Sequence, residues 1–313
     1  MRVEVKVMKK IDPLIEGDTV LIISPAKTIE SKYIDLAQSL FQSWGLKVEV
    51  AENAMGRHNY FAGKDVDRAN DLQWALNHPT AKAIVATRGG YGSIRIVDEV
   101  DYSGFIANPK WLIGFSDITV FHNKIHGSFN LPSIHAVAPL YFDQLNETDQ
   151  AIVTLKGALF GKSVGTTVPT HKCNRLGTGT GVLVGGNLAV FASLVGTSLD
   201  ISTDNKVLFL EDVSEYAYRI DRMLWSLKKS GKLKKLAGLV IGGLTDIKLS
   251  QETFGCSVEE LVQDVIGEFD YPVMFNFPAG HQLANQALVL GTEYKIEVNN
   301  KWANLTSMAN GKA

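Results

Sequence analysis

The first half of the chain alternates short apolar runs with amphipathic stretches, and no other feature narrows its fold as much. Residues 18–24 are an apolar run closed by Pro25, and 31–44 are an amphipathic stretch stopped by Gly45. Residues 46–51, 83–87 and 111–115 read as further strands, with helices over 65–77 and 117–126. Strands that are apolar on both faces and joined through helices pair in parallel, with helices on both sides of the sheet. The expected fold is therefore α/β, with an N-terminal parallel-sheet domain of Rossmann-like or flavodoxin-like type. Residues 163–181 then turn rich in Gly, Thr and Ser without a helical period, which reads as a crossover. Beyond it, 186–195 looks helical with Asn187 as its cap, 206–211 and 239–241 look like strands, and 218–229 and 258–269 like helices. The end, 287–298, is strand-rich. The expected organisation is an α/β domain over 1–165, a linker over 166–181 and a C-terminal mixed α+β domain over 182–313.

Charge and cysteine content exclude several partner classes. Across 313 residues, Lys+Arg number 31 and Asp+Glu 33, a formal charge of -2. Nucleic acid and anionic membranes call for a net basic surface, so neither is the expected partner. The run KKSGKLKK at 228–235 follows a helix without interleaved aromatics and reads as a solvated helix end. Cys173 and Cys256 are too few for a disulfide framework or a cysteine zinc site. No apolar run approaches the roughly 20 residues that cross a bilayer. A cytoplasmic protein acting on a small molecule is the default expectation. Trp44, Trp74, Trp111 and Trp225 fall at apolar periodic positions and read as core.

Three places could carry chemistry. RGGYGS at 88–93 follows a strand and precedes a helical stretch; its glycines allow positive φ and leave backbone N–H groups open to a ligand oxygen. Arg95 stands where a dinucleotide fingerprint needs its third glycine, and 157–163 is one residue too short for a P-loop, with Gly161 suited to a helix C-cap. The turn reads as an oxyanion-binding backbone, with a tight turn or a phosphate cradle as alternatives, and no cofactor is expected. GFSDIT at 114–119 places Ser116 on a strand-to-helix corner, the geometry of a nucleophile elbow, although Ile118 replaces the second glycine of G-x-S-x-G and helix capping is the alternative. Among the histidines, His122 and His126 share a helix face, but no third ligand accompanies them and no metal site is expected. His281 lies in a Gly/Pro loop after a strand, and Glu211 ends the apolar strand 207–210 with Asp212 behind it. A base and its orienting carboxylate would suit these positions, as would a salt bridge or a cap for Glu211.

Taken in order, SPA at 24–26, ATRGGYG at 86–92, IGFSDIT at 113–119, GGNL at 185–188, LEDV at 210–213, YRIDR at 218–222 and GH at 280–281 make the chain resemble the serine LD-carboxypeptidases, the family that includes the microcin C immunity peptidases. The resemblance runs from about residue 17 to about 298. It implies a Ser–His–Glu triad: nucleophile Ser116 from the first domain, orienter Glu211 and base His281 from the second. It further implies an oxyanion hole from the N–H groups of Asp117 and Gly90, with Arg88 and Arg219 as candidates for the substrate's free carboxylate or for an interdomain salt bridge. The reaction implied is release of terminal D-alanine from the L,D bond of a murein tetrapeptide, a small peptide substrate, by a homodimer. Two rival readings remain. Immunity-type cleavage of a peptidyl or aminoacyl nucleotide analogue would call for an aromatic surface, and no added aromatic loop follows the crossover. A non-catalytic muropeptide-binding module is the other. One departure from the family pattern bears on the substrate wall: Ala136-Val-Ala-Pro139 follows His135 where Gly-Pro is expected.

Overall fold

The computed structural model describes residues 10–248 and 255–308. In the first half, strands β1 (Thr19–Ile23), β2 (Lys47–Val50), β3 (Ala81–Ala86), β4 (Trp111–Gly114) and β5 (Ser133–His135) pair in parallel in the order β5-β4-β3-β1-β2. Every residue of β1 and β4 is buried, as a two-sided sheet requires. Helices α1 (Ser31–Ser43), α2 (Asp65–Asn77), α3 (Ser103–Ala107), α4 (Thr119–Phe129) and α5 (Gln150–Leu159) accompany them. In α1 the inward face is Ile34, Ala37 and Phe41, spaced at helical intervals.

The second half builds another sheet from β6 (Gly165–Pro169), β7 (Gly177–Asn187), β8 (Lys206–Val213), β9 (Gly238–Thr245) and β10 (Val273–Met274). Its helices are α6 (Leu188–Ser193), α7 (Ala217–Lys229) and α8 (Val258–Val265). Three strands remain: β11 (Leu288–Leu290), β12 (Glu293–Val298) and β13 (Trp302–Ser307). The seven-stranded order is β10-β9-β8-β7-β12-β13-β6, parallel from β10 to β7 and antiparallel from β7 to β6. The expected α/β class with a second mixed sheet is what the chain forms.

Several local expectations are corrected. The stretch 166–181 is not an irregular linker: it contains most of β6 and the start of β7, both with residues that alternate in exposure. Gly and Thr at period two suit a strand with one wet face, and low apolar content had hidden that period. Within 287–298, β11 leaves the second sheet and pairs antiparallel with β5, closing the edge of the first. After Gly92 only a 3₁₀ turn forms, Ser93–Arg95, and the helix expected from Asp117 opens with a 3₁₀ turn, Ser116–Ile118, before α4 begins. The helix expected over 258–269 ends at Val265.

The strand β8 explains how the two halves meet. Val207 and Phe209 pack into the core that also holds β1, β3 and β4, whereas Leu208 and Leu210 pack against α6, α7 and α8 in a second core. Side chains alternate along a strand, so Glu211 shares the side of Val207 and Phe209, toward the first sheet, and Asp212 falls on the other. Among the described residues no helix is long and apolar enough to cross a membrane.

Candidate active site

Ser116 stands where β4 ends and the chain reverses into α4. Its φ of 64° is left-handed, a conformation that costs a non-glycine residue about 1–3 kcal/mol and persists only where the surroundings impose it. The turn after β3 is part of that surrounding. A Cβ built on Gly89 would lie 2.8 Å from the Ser116 Cβ, 3.0 Å from the Asp117 nitrogen and 3.1 Å from the Phe115 oxygen, so only glycine lets the turn close on the corner. Gly90, whose amide follows directly on Gly89, has φ 117° and lies against Lys27. Asp117 is buried, and its carboxylate accepts the Ser93 N–H at 2.8 Å, joining the two loops. Burial raises its pKa, partly offset by that hydrogen bond.

Glu211 and His281 face Ser116 from the second half. Glu211 is fully buried, and its Oε2 accepts both the His281 backbone N–H at 3.1 Å and Nδ1 at 2.7 Å. His281 Nε2 lies 3.1 Å from Ser116 Oγ. With the proton on Nδ1, as the carboxylate contact requires, Nε2 is the acceptor that a nucleophilic hydroxyl needs. Burial works against a charged imidazole here, but the hydrogen bond that His281 donates to Glu211 and the negative charge of that carboxylate outweigh it, and the His281 pKa is raised. The turn into His281 depends on Gly280: φ is 104°, and a Cβ there would sit 2.5 Å from Glu211 Oε2. Asn285 Oδ1 holds the Gly280 N–H at 2.8 Å, Thr245 Oγ1 donates to the His281 carbonyl at 3.0 Å, and the Phe115 ring packs 4.8 Å from the imidazole.

A second set of contacts, which no sequence motif marks, binds the corner to the strand carrying Glu211. The Asn187 N–H donates to Thr119 Oγ1 at 3.0 Å, and Asn187 Nδ2 donates to Asp212 Oδ1 at 3.0 Å. Asp212 also accepts the N–H groups of Ala189 and Val213, while Asn187 Oδ1 caps α6 through Val190. Burial pushes the Asp212 carboxyl up to about 6. Gly186, with φ 138°, permits the approach, since a Cβ would lie 2.5 Å from Thr119 Oγ1. The cap at Asn187 was legible; that its backbone reaches across to Thr119 was not.

The remaining expected residues fall elsewhere. Arg88 borders the Ser116 turn, with Nη1 3.4 Å from the Thr28 carbonyl and Nε buried without an acceptor. Arg219 makes no interdomain bridge: it is half-exposed, 3.6 Å from Glu215, and lies over the rings of Tyr216 and Tyr218. His122 uses both ring nitrogens inside the fold, on Ser133 Oγ and the Gly114 carbonyl, and His126 faces Lys206 at 3.2 Å. Burial pushes both imidazoles down to about 4. A cavity of about 560 Å³ opens at the opposite end of the second sheet, among Thr178, Lys234, Phe269 and Tyr271, and includes none of the residues around Ser116.

Known proteins match this architecture over most of its length. Residues 20–136 match the LD-carboxypeptidase N-terminal domain, and residues 180–296 the LD-carboxypeptidase C-terminal domain. The probable murein peptide carboxypeptidase of Bacillus subtilis is 32% identical, covering 92% of this chain and 91% of its own. The murein tetrapeptide carboxypeptidase of Pseudomonas aeruginosa is 27% identical over 90% of this chain and 93% of its own. In the crystal structure of muramoyltetrapeptide carboxypeptidase from Oxalobacter formigenes, the fold superposes with a TM-score of 0.83 at 26% identity, covering 92% of this chain and 98% of that one.

Proposed function

The chain belongs to the LD-carboxypeptidase family, and on that premise we propose that it is a serine peptidase releasing terminal D-alanine from murein tetrapeptides during cell-wall recycling. The observation that carries the reading is the unbroken line of hydrogen bonds from Glu211 through His281 to Ser116, 2.7 and 3.1 Å long. In this reading the first domain supplies the nucleophile, and the second supplies the acid and base.

His281 Nε2 takes the Ser116 proton as Oγ attacks the carbonyl carbon of the L,D amide. The imidazolium so formed is stabilised by Glu211, whose effect on the His281 pKa has the required sign. The negative oxygen of the tetrahedral intermediate is received by the N–H groups of Asp117 and Gly90, which flank the corner where Gly89 meets Ser116. Collapse expels the D-residue amine with the proton from His281, and water then releases the acyl group by the same steps in reverse. The strained corner holds Oγ at the sheet edge before substrate arrives, so little reorganisation is left for the reaction. Such a protein works in the cytoplasm on recycled peptides, and we assign it a homodimeric state with the rest of this reading.

The test is release of free D-alanine from a disaccharide-free tetrapeptide by the pure protein, with Ser116→Ala as control. Release by the wild type alone is expected. Equal release by both would exclude a serine nucleophile. Cleavage of an aminoacyl sulfamoyl adenosine without release from any L,D peptide would assign the immunity reaction instead, and tight peptide binding without turnover would assign a sensor.

A further inference from the structure

We propose that Arg88 and Tyr141 form the subsite for the free terminal carboxylate of the substrate, and thereby restrict cleavage to the last residue of a peptide. The proposal rests on the peptidase reading of the same cleft.

Backbone geometry sets the two side chains together. Thr87 ends the segment leading to Arg88, and its carbonyl accepts the Leu140 N–H at 3.1 Å, which pins the 3₁₀ turn Pro139–Gln144 beside the β3 turn. Tyr141 follows Leu140 on that turn. Its ring packs 5.8 Å from Phe115, and Phe115 packs 4.8 Å from His281. On the other side Arg88 precedes Gly89, the residue pressed against Ser116. The guanidinium and the phenol therefore both border the corner that carries Ser116, close enough for the Arg88 charge to act on the phenol.

Both groups have hydrogen-bonding capacity that the protein leaves unused. Arg88 Nε is buried without an acceptor, the bond from Nη1 to Thr28 is long, and no carboxylate among the described residues pairs with it. An unmet buried donor is destabilising, and a planar guanidinium is matched best by a carboxylate taking two of its donors. The Tyr141 hydroxyl likewise has no hydrogen-bond partner among the described residues. Burial raises its pKa, against the pull of the Arg88 charge and with a push from Glu211, so it remains a protonated donor at neutral pH. Glu211 gives Oε2 to His281, and its buried Oε1 makes no hydrogen bond to either group. The anion that completes the pair therefore comes with the ligand, and the terminal carboxylate of a peptide lies just beyond the scissile nitrogen. The other cation at this turn, Lys27, is worse placed, since its Nζ lies over the Tyr60 ring.

The experiment compares one L,D tetrapeptide as its free acid and as its C-terminal amide. A charge-assisted hydrogen bond contributes about 1.5–3 kcal/mol, so wild-type kcat/KM is expected to favour the acid by on the order of 10²-fold. Tyr141→Phe should reduce that preference about tenfold and Arg88→Gln should nearly erase it, mainly through a higher KM for the acid. Equal cleavage of acid and amide by the wild type would overturn the subsite and leave the peptidase standing. If neither peptide is cleaved, the peptidase reading fails, and binding to Ser116→Ala decides the subsite: tighter binding of the acid supports it, equal binding overturns it. If Arg88→Gln does not fold, as judged by its melting curve, Tyr141→Phe decides alone, and an unchanged preference overturns the proposal.

Discussion

Gly89→Ala isolates the closeness of the two loops around Ser116 from every other property of the site. The φ of Gly89 is not positive, so alanine is not strained by its own backbone, and the effect comes from space alone. The new methyl would stand 2.8 Å from the Ser116 Cβ, 3.0 Å from the Asp117 nitrogen and 3.1 Å from the Phe115 oxygen, against ordinary contacts of 3.4–4 Å. Two of the three obstacles are backbone, so the corner must retreat by about half an ångström or more. A misplacement of about 1 Å at a reacting group costs on the order of 10²-fold, and covering one oxyanion donor costs about 10²–10³-fold. We expect kcat for D-alanine release to fall by about 10²–10³, with about 1–3 kcal/mol of stability lost to overpacking. Initial rates and thermal melting measure the two effects. Gly157→Ala is the control, because its nearest neighbour, Lys162 Cβ, is 3.7 Å away in open contact and the residue lies within α5. There, stability should stay level or rise by about 0.5–1 kcal/mol with activity intact. A Gly89→Ala protein within threefold of wild-type kcat would refute the claim that this turn walls the nucleophile.

Further measurements probe the electrostatics and the link between the two halves. The raised pKa of His281 means that activity is lost as pH falls through a value above 6.5; Glu211→Gln should move that acid limb of kcat/KM downward while lowering the plateau, and an unmoved limb would contradict the pairing. Thr119→Val removes the acceptor of the Asn187 N–H and leaves a buried donor unmet, costing about 1–3 kcal/mol in denaturant titration, with a fall in kcat because the chain joining the Ser116 corner to Asp212 is cut; unchanged kcat would show that the link does not position the triad. His122, held near 4 against 6.5 when unfolded, stabilises the fold fully above pH 6.5 and loses that contribution as pH falls toward 4, roughly 3 kcal/mol in all. His126 acts in the same direction and Asp212, raised to about 6, opposes it, so the clean readout is the difference in pH slope between wild type and His122→Gln. Equal slopes would show that His122 does not carry that dependence.

Much of this protein was legible in local pattern. Largely apolar runs such as Thr19–Ile23, helical spacing such as Ile34, Ala37 and Phe41, and glycine-bounded turns report local backbone preference and burial, and these suffice for a parallel sheet covered by helices. The same pattern placed Ser116, Glu211 and His281 at the ends of elements, and the ordered motifs supplied a reason for them to meet. Local pattern failed where a strand carries little apolar surface. Gly165–Pro169 and the start of Gly177–Asn187 alternate in small polar residues, and they pair because neighbouring strands supply the register. It also failed for Leu288–Leu290, whose apolar run is equally suited to either sheet until β5 is left with an open edge.

Residue identity and spacing along the chain determined which elements form and which side chains stand at their ends. Only packing in three dimensions decided that Glu211 points toward the first sheet and Asp212 away from it, that Gly89 rather than a larger residue lies against Ser116, and that Asn187 reaches Thr119. These are contacts between segments 27 to 70 or more residues apart. No sequence period records them, because they arise when two apolar surfaces close on each other and the polar groups caught between must find partners.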